Sequence, residues 1–300
     1  MEVGIGSSAR GFLVAGLQGE MGVKADGIYG PMTVAAVRAL QDKFKMQRTG
    51  RITQGLCAVA GLTWPSVFLR CLNLTSQFEG TGYDRAVGPA DTGDSAGVTF
   101  GIVGFTSYNG ELQRLLRIYA GSNPMTFEAE VGRAFGAGGG AAFRATLEGG
   151  DNKALGAFGL DSGGRVKGAV ALFFQRLGGM LTFQALQVHE ARRRYWLLAD
   201  GQARQLWADP TPREFALMFD VAVQNGGLKE LEISDFLAAS DEHDVVGEMA
   251  WRVVKALHVR LTKKRRPAGI INDCLGRKRA IVAGHGMVHG REWWVDSFGV

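Results

Sequence analysis

The stretch that decides the fold runs from Leu74 to Phe105 and reads LTSQFEGTGYDRAVGPADTGDSAGVTFGIVGF. Its start continues the apolar, helix-spaced run "FLRCLN" and closes on a single acid, Glu79. A glycine-rich loop holding Asp94 follows. After it comes "GVTFGIVGF", whose β-branched and aromatic residues between glycines read as strand and turn. Two acids fifteen residues apart across such a loop can face each other over a cleft.

Outward from this stretch the chain is helical. Apolar spacing predicts helices over Val67–Phe78, Gly110–Ala120, Thr126–Phe135, Lys167–Arg176, Leu181–Leu198, Pro212–Gln224, Asp244–Arg260 and Leu275–His285. "FGAGGGAAF" (135–143) reads as a flexible loop, and only "GVTFGIVGF" has strand character. The expected fold is therefore mostly α, with one small sheet in a lysozyme-like α+β domain of residues 65–300. No linker rich in Pro, Ser or Gly separates it from the residues before it.

Residues 1–64 read as a small three-helix module. "FLVAGLQGEMG" and "PMTVAAVRALQDKFK" place Phe12, Leu13 and Leu17, then Val34, Val37, Leu40 and Phe44, at helical spacing. Between them Asp26-Gly27 makes a turn, and Gly30-Pro31 stops one element and starts the next. A second turn, "QRTGRITQG", leads into a third short helix near Leu56–Ala60.

Composition narrows the class. At 46% hydrophobic and 21% charged the chain has ample material for a core. No apolar run approaches the ~18–20 residues of a membrane span. "MEVGIGSSARGFLVAGL" carries Glu2 and no basic start, so no secretory signal is expected there. Three scattered cysteines (Cys57, Cys71, Cys274) without CxxC spacing are expected as buried thiols. Residues 251–300 hold eleven Lys or Arg against three acids, a local +8, so with a net charge of +5 the first 250 residues carry −3. An anionic partner is implied: a nucleic acid, a wall polymer or lipid head groups. The helix "EMAWRVVKALHVRLTKKRRP" has an apolar side of Met249, Val253, Val254, Leu257 and Leu261. Its basic end, Lys263 to Arg266, is either a solvated terminus or a contact with anionic outer-membrane lipid.

Cleaving a glycosidic bond takes one protonated carboxyl and one ionised carboxylate. Glu79 suits the proton donor, because the apolar residues Leu72, Leu74 and Phe78 would desolvate it. Asp94, among glycines and backbone N–H groups, suits the base. Thr99 carries a hydroxyl that can hold the attacking water. Activity would then peak where Asp94 is ionised and Glu79 is still protonated, at roughly pH 5–7. Elsewhere, His285 and His289 of "HGMVHG" are four apart, but the flanking glycines argue against a helical zinc site. Neither a metal nor a cofactor is expected. "HEARRRYW" (189–196) reads as a solvated or groove-lining helix face.

Two family resemblances sharpen these readings. "LQ…DGIYGPMTVAAVRALQ" resembles the peptidoglycan-binding module of cell-wall hydrolases over roughly residues 9–62. It implies a wall-binding role, with Asp26, Tyr29 and Gln41 as candidate contacts or, alternatively, only shapers of the turn. "LTSQFE" followed by "GDSAGVTFGIVGFTSYNGE" resembles the chitosanase family of the lysozyme superfamily. That resemblance implies Glu79 as acid, Asp94 as base, Thr99 as water holder and an inverting mechanism with carboxyls ~6.5–9.5 Å apart. It also implies Glu111 as a substrate-contacting carboxylate and Asp220 as a supporting acid, paired with Arg277 or Arg279 of "LGRKRAIV". Tyr83, Phe105, Gln224 and Asn225 complete the expected substrate contacts. Departures from the family run at Ser95, Ala96, Val98 and Phe100 argue against chitosan. Joined to a wall-binding module, the acid pair implies cleavage of wall glycan by a muramidase-type phage endolysin; the alternatives are a chitosanase, or a zinc-dependent amidase or peptidase of the wall using His285 and His289. Such an endolysin would wait in the host cytoplasm for release to the wall, act as a monomer on peptidoglycan and have no nucleic-acid partner.

Overall fold

The computed structural model describes residues 3–80, 82–93, 96–238 and 247–300. By contacts the chain forms two compact units, Met1–Phe78 with Arg194–Val300, and Glu79–Arg193. The boundary at 64/65 lies inside the first unit, because the N-terminal module packs with residues that follow it and with the far end of the chain.

The module begins with β1 (Gly4–Ile5), α1 (Phe12–Glu20), α2 (Pro31–Lys43), β2 (Ile52–Thr53) and α3 (Gln54–Ala60). Pro31 opens α2 at its first turn, where a missing N–H costs nothing. The Thr53 hydroxyl caps α3 by accepting from Leu56 N at 3.2 Å. β1 and β2 pair antiparallel, with Ile5 opposite Ile52. Ile5, Val14, Leu17, Tyr29, Val37, Ile52 and Leu56 form the module's core. Next comes α4 (Val67–Glu79). Asn73 on α4 donates to Arg10 O at 2.8 Å and accepts from Leu13 N at 3.3 Å. Such pairings hold the module against α4.

The second unit carries β3 (Ala86–Val87), α5 (Pro89–Thr92), β4 (Thr99–Phe100), β5 (Phe105–Thr106), α6 (Glu111–Ser122), α7 (Pro124–Glu148), α8 (Asn152–Gly159), α9 (Gly168–Gly178) and α10 (Leu181–Ala191). β3, β4 and β5 form one antiparallel sheet, with Ala86 opposite Phe100 and Thr99 opposite Thr106. The expected loop at 135–143 is helical instead. It belongs to α7, interrupted at Gly136 by a left-handed φ of 64°. Phe127, Phe135, Phe143, Phe158 and Phe173 lie with ring centroids 5.0–6.3 Å apart. Burying that cluster outweighs the roughly 1 kcal/mol that each glycine costs a helix.

The chain leaves α10 through a π-helical turn (Arg192–Trp196) and returns to the first unit. There follow α11 (Leu197–Leu206), α12 (Pro212–Asn225), α13 (Glu230–Ala238), α14 (Glu248–Lys263), α15 (Ala268–Ala283), β6 (His285–Val288) and β7 (Arg291–Trp294). The Thr211–Glu214 capping box starts α12. Asp244, the expected start of the basic helix, lies outside the described residues. α8 and α13 were not foreseen, and α15 begins at Ala268 and stops at Ala283. The β6–β7 hairpin adds a sheet where no strand was expected, so the described residues hold three small sheets. The mostly helical class stands. All three cysteines are buried free thiols, and no single described helix is long and apolar enough to cross a membrane.

Candidate active site

Glu79 ends α4, half-buried, at the start of the second unit. Its carboxylate reaches the turn between β4 and β5. A Cβ built on Gly104 would stand 3.4 Å from Glu79 Oε2 and 3.2 Å from Thr99 Cγ2. Gly104 has a φ of +66°, so a side chain there would be strained as well as crowded. Glu79 and Thr99 thus flank one glycine. Thr99 Oγ1 is buried and has no hydrogen-bond partner among the described residues. Asp94, the expected base, lies outside the described residues, as does Ser95.

The turn beside Glu79 is fixed from below. Glu111, at the first turn of α6, is buried and accepts from Thr106 N at 3.1 Å and Thr106 Oγ1 at 3.2 Å. In this position the carboxylate anchors β5, directly across from Thr99. Phe105 is 2% exposed and packs in the core, so a substrate contact through its ring would need the core to open. Tyr83 is half-buried, and burial pushes its phenol well above the ordinary range. Its carbonyl accepts from Gln187 Nε2 at 2.9 Å, while Gln187 Oε1 accepts from Ile102 N at 3.0 Å. Gln187 is fully buried and joins the loop after Glu79 to the strand turn. Sequence reading missed it, although an isolated glutamine inside an apolar helix pattern is a usable signal. Glu190 is also buried rather than solvated. It accepts from Arg114 Nε at 2.9 Å and Arg193 Nη2 at 2.9 Å. Burial alone would raise its pKa, but the two guanidiniums hold it below the ordinary value.

The first unit contains a buried charge cluster. Asp220 on α12 is fully buried and accepts from Arg277 Nε at 3.1 Å, while Lys278 Nζ lies 2.7 Å from its other oxygen. Arg279 is exposed, so the paired arginine is Arg277, with Lys278 as an unforeseen second cation. Desolvation would raise Asp220, but the facing charges of Arg277 and Lys278 hold its pKa below 3.8. Gln224 accepts from Lys278 and donates to Asp273 Oδ2 at 3.1 Å. Asn225 donates to Cys274 Sγ at 3.4 Å. Arg277 also lies over the Phe78 ring at 5.3 Å, and Phe78 meets Trp293 at 5.0 Å. The last turn of α4, immediately before Glu79, is clamped by these contacts.

In the module, Tyr29 and Gln41 point inward. Tyr29 donates to Gly50 O at 2.9 Å, and Gln41 bonds Thr49, Gly50 and Arg51. Asp26 accepts from Gln18 Nε2 at 3.0 Å and from Ile28 N at 3.0 Å. All three side chains bond within the turns of the module. Of the two histidines considered for zinc, His285 stacks on Trp294 and His289 pairs with Asp273. On α14 the apolar side, Met249, Val253, Val254, Leu257 and Leu261, is buried, and Lys263 to Arg266 are exposed.

Residues 9–58 match the family profile described as a putative peptidoglycan binding domain. The structure is similar to a solved one titled as a chitosanase complex, with a TM-score of 0.53 and 19% identity over 76% of this chain and 95% of that one. No curated protein sequence matches. The chain thus joins a segment that matches a peptidoglycan-binding family to a fold similar to that of a solved chitosanase.

Proposed function

We propose that this protein hydrolyses the β-1,4 glycosidic bonds of bacterial wall glycan as a muramidase-type endolysin. The protonated Glu79 carboxyl gives its proton to the leaving glycosidic oxygen. The Asp94 carboxylate takes a proton from a water held by Thr99, and that water adds to the anomeric carbon from the opposite face. The bond to the leaving sugar breaks, the configuration inverts, and proton exchange with solvent resets both acids. Asp220 acts at a distance by keeping Arg277 on Phe78, so that Glu79 leaves its helix in one direction. The fold likeness favours chitosan as a second substrate class. The wall-binding module and the departures at Ala96 and Val98 favour murein.

One observation carries the mechanism: among the described residues the Thr99 hydroxyl, beside Glu79, is buried and unpartnered. An orphaned buried hydroxyl costs about 1–3 kcal/mol, a cost that is explained if a bound water is its partner. Replacing Thr99 by Val is therefore expected to leave thermal stability unchanged or raised. Murein turnover should fall roughly 10–100-fold, the worth of one such hydrogen bond. Parallel melting and dye-release assays check this. Lost stability with retained turnover would show that the hydroxyl is structural.

A further inference from the structure

Outside the acid site, the outer face of the β6–β7 hairpin has the chemistry of a sugar-binding surface. Strand pairing sets His285 opposite Trp294 and Met287 opposite Glu292. Side chains alternate across a strand, so these four share one face. All four are exposed, Trp294 at 47% and Met287 at 61%. The other face is sealed. Val288 and Trp293 are buried, and a Cβ on Gly286 would stand 3.0 Å from Ala280 Cβ of α15. Trp293 donates its indole N–H to Val288 O at 3.1 Å. The hairpin is therefore held rigidly from beneath, and Trp294 is not needed to hold it.

The His285 and Trp294 rings are stacked, with centroids 5.4 Å apart and planes 20° apart. Stacking covers the sides of the two rings that face each other, and the rest of the ring surface stays open to water, with Trp294 47% exposed, which is costly unless something covers it. The apolar C–H face of a pyranose lies flat on such a surface. Glu292 can accept from ring hydroxyls, and the Met287 thioether can adapt to an acetamido methyl. The buried face is continuous with the clamp on α4, since Trp293 packs on Phe78, the residue before Glu79.

We propose that His285 and Trp294 form an aromatic platform that binds a sugar unit of a β-1,4-linked N-acetylated glycan, with Met287 and Glu292 completing the face. The choice of ligand rests on the wall-glycan reading above. The test is calorimetric binding of the N-acetylglucosamine tetramer to full-length protein carrying Glu79→Gln, so that the ligand is not cut. Trp294→Ala should weaken binding about tenfold and His285→Ala about threefold, in line with the apolar area uncovered. Trp294→Phe should stay near the parent, and Trp251→Ala, at another exposed tryptophan, should change nothing. Trp294→Leu keeps bulk without a ring and should weaken binding as alanine does; it carries the test if the alanine variant does not fold. Unchanged affinity in Trp294→Ala or Trp294→Leu would overturn the platform, and so would a tetramer that does not bind the parent. Murein cleavage by the wild-type protein, measured beside this, shows separately whether the hydrolase reading stands.

Discussion

Glu79→Gln is expected to lower murein turnover by roughly 10²–10⁴-fold, the usual worth of a placed general acid. The amide matches the carboxyl in shape but has no acidic proton for the leaving oxygen. The leaving group must then depart as an alkoxide or wait for a proton from water. Binding is a separate matter, since the amide keeps an acceptor oxygen and can still reach a sugar hydroxyl. Retention on purified sacculi should be close to wild type, so the loss falls on kcat and not on KM. An equal loss of binding and turnover would instead mean that Glu79 shapes the groove.

The second large effect is on stability. Asp220→Asn removes a carboxylate that faces both Arg277 and Lys278, each of them buried. Both cations would lose this counter-charge in a low-dielectric core. Breaking a buried pair from one side costs about 3–5 kcal/mol, which for a unit of this size lowers the melting temperature by on the order of 10 °C. The acid limb should change too. The folded carboxyl sits below its ordinary 3.8, so its contribution is full above that value and fades as pH falls through the folded pKa. Wild type should lose stability on acidification below about pH 4, and the Asn variant should show a flatter limb. Denaturant unfolding at several pH values reads both effects.

Some of this was legible before any coordinates. The α4 pattern ends on Glu79 because apolar residues at helical spacing stop at a glycine. Gly30-Pro31 starts α2 because proline is tolerated only in a first turn. Local chemistry of this kind is written in neighbouring residues. The pairing of Asp220 with two cations was only half visible, because α15 was read as starting at Leu275. With so short a stretch, the face shared by Arg277 and Lys278 could not be assigned. The glycines at 136–140 suggested a loop because their own preference is against helix. The aromatic cluster that overrides it comes from three separate helices. The β6–β7 strands are four residues each, too short for alternation to stand out. Tyr29 and Gln41 read in sequence as wall contacts or as shapers of the turn, and only the structure shows their bonds to residues 49–51. What escaped the sequence was whatever depends on residues far apart along it.

The central claim is that the chain cuts sugar–sugar bonds in murein. Purified sacculi should be digested with wild-type protein, and the digest reduced with borohydride and read by mass spectrometry, with free amines assayed in parallel. New reducing-end sugars that gain two hydrogens on reduction, still bearing intact stem peptides, are expected, with no new amines. Unbroken glycan strands with newly released amino groups would contradict the claim.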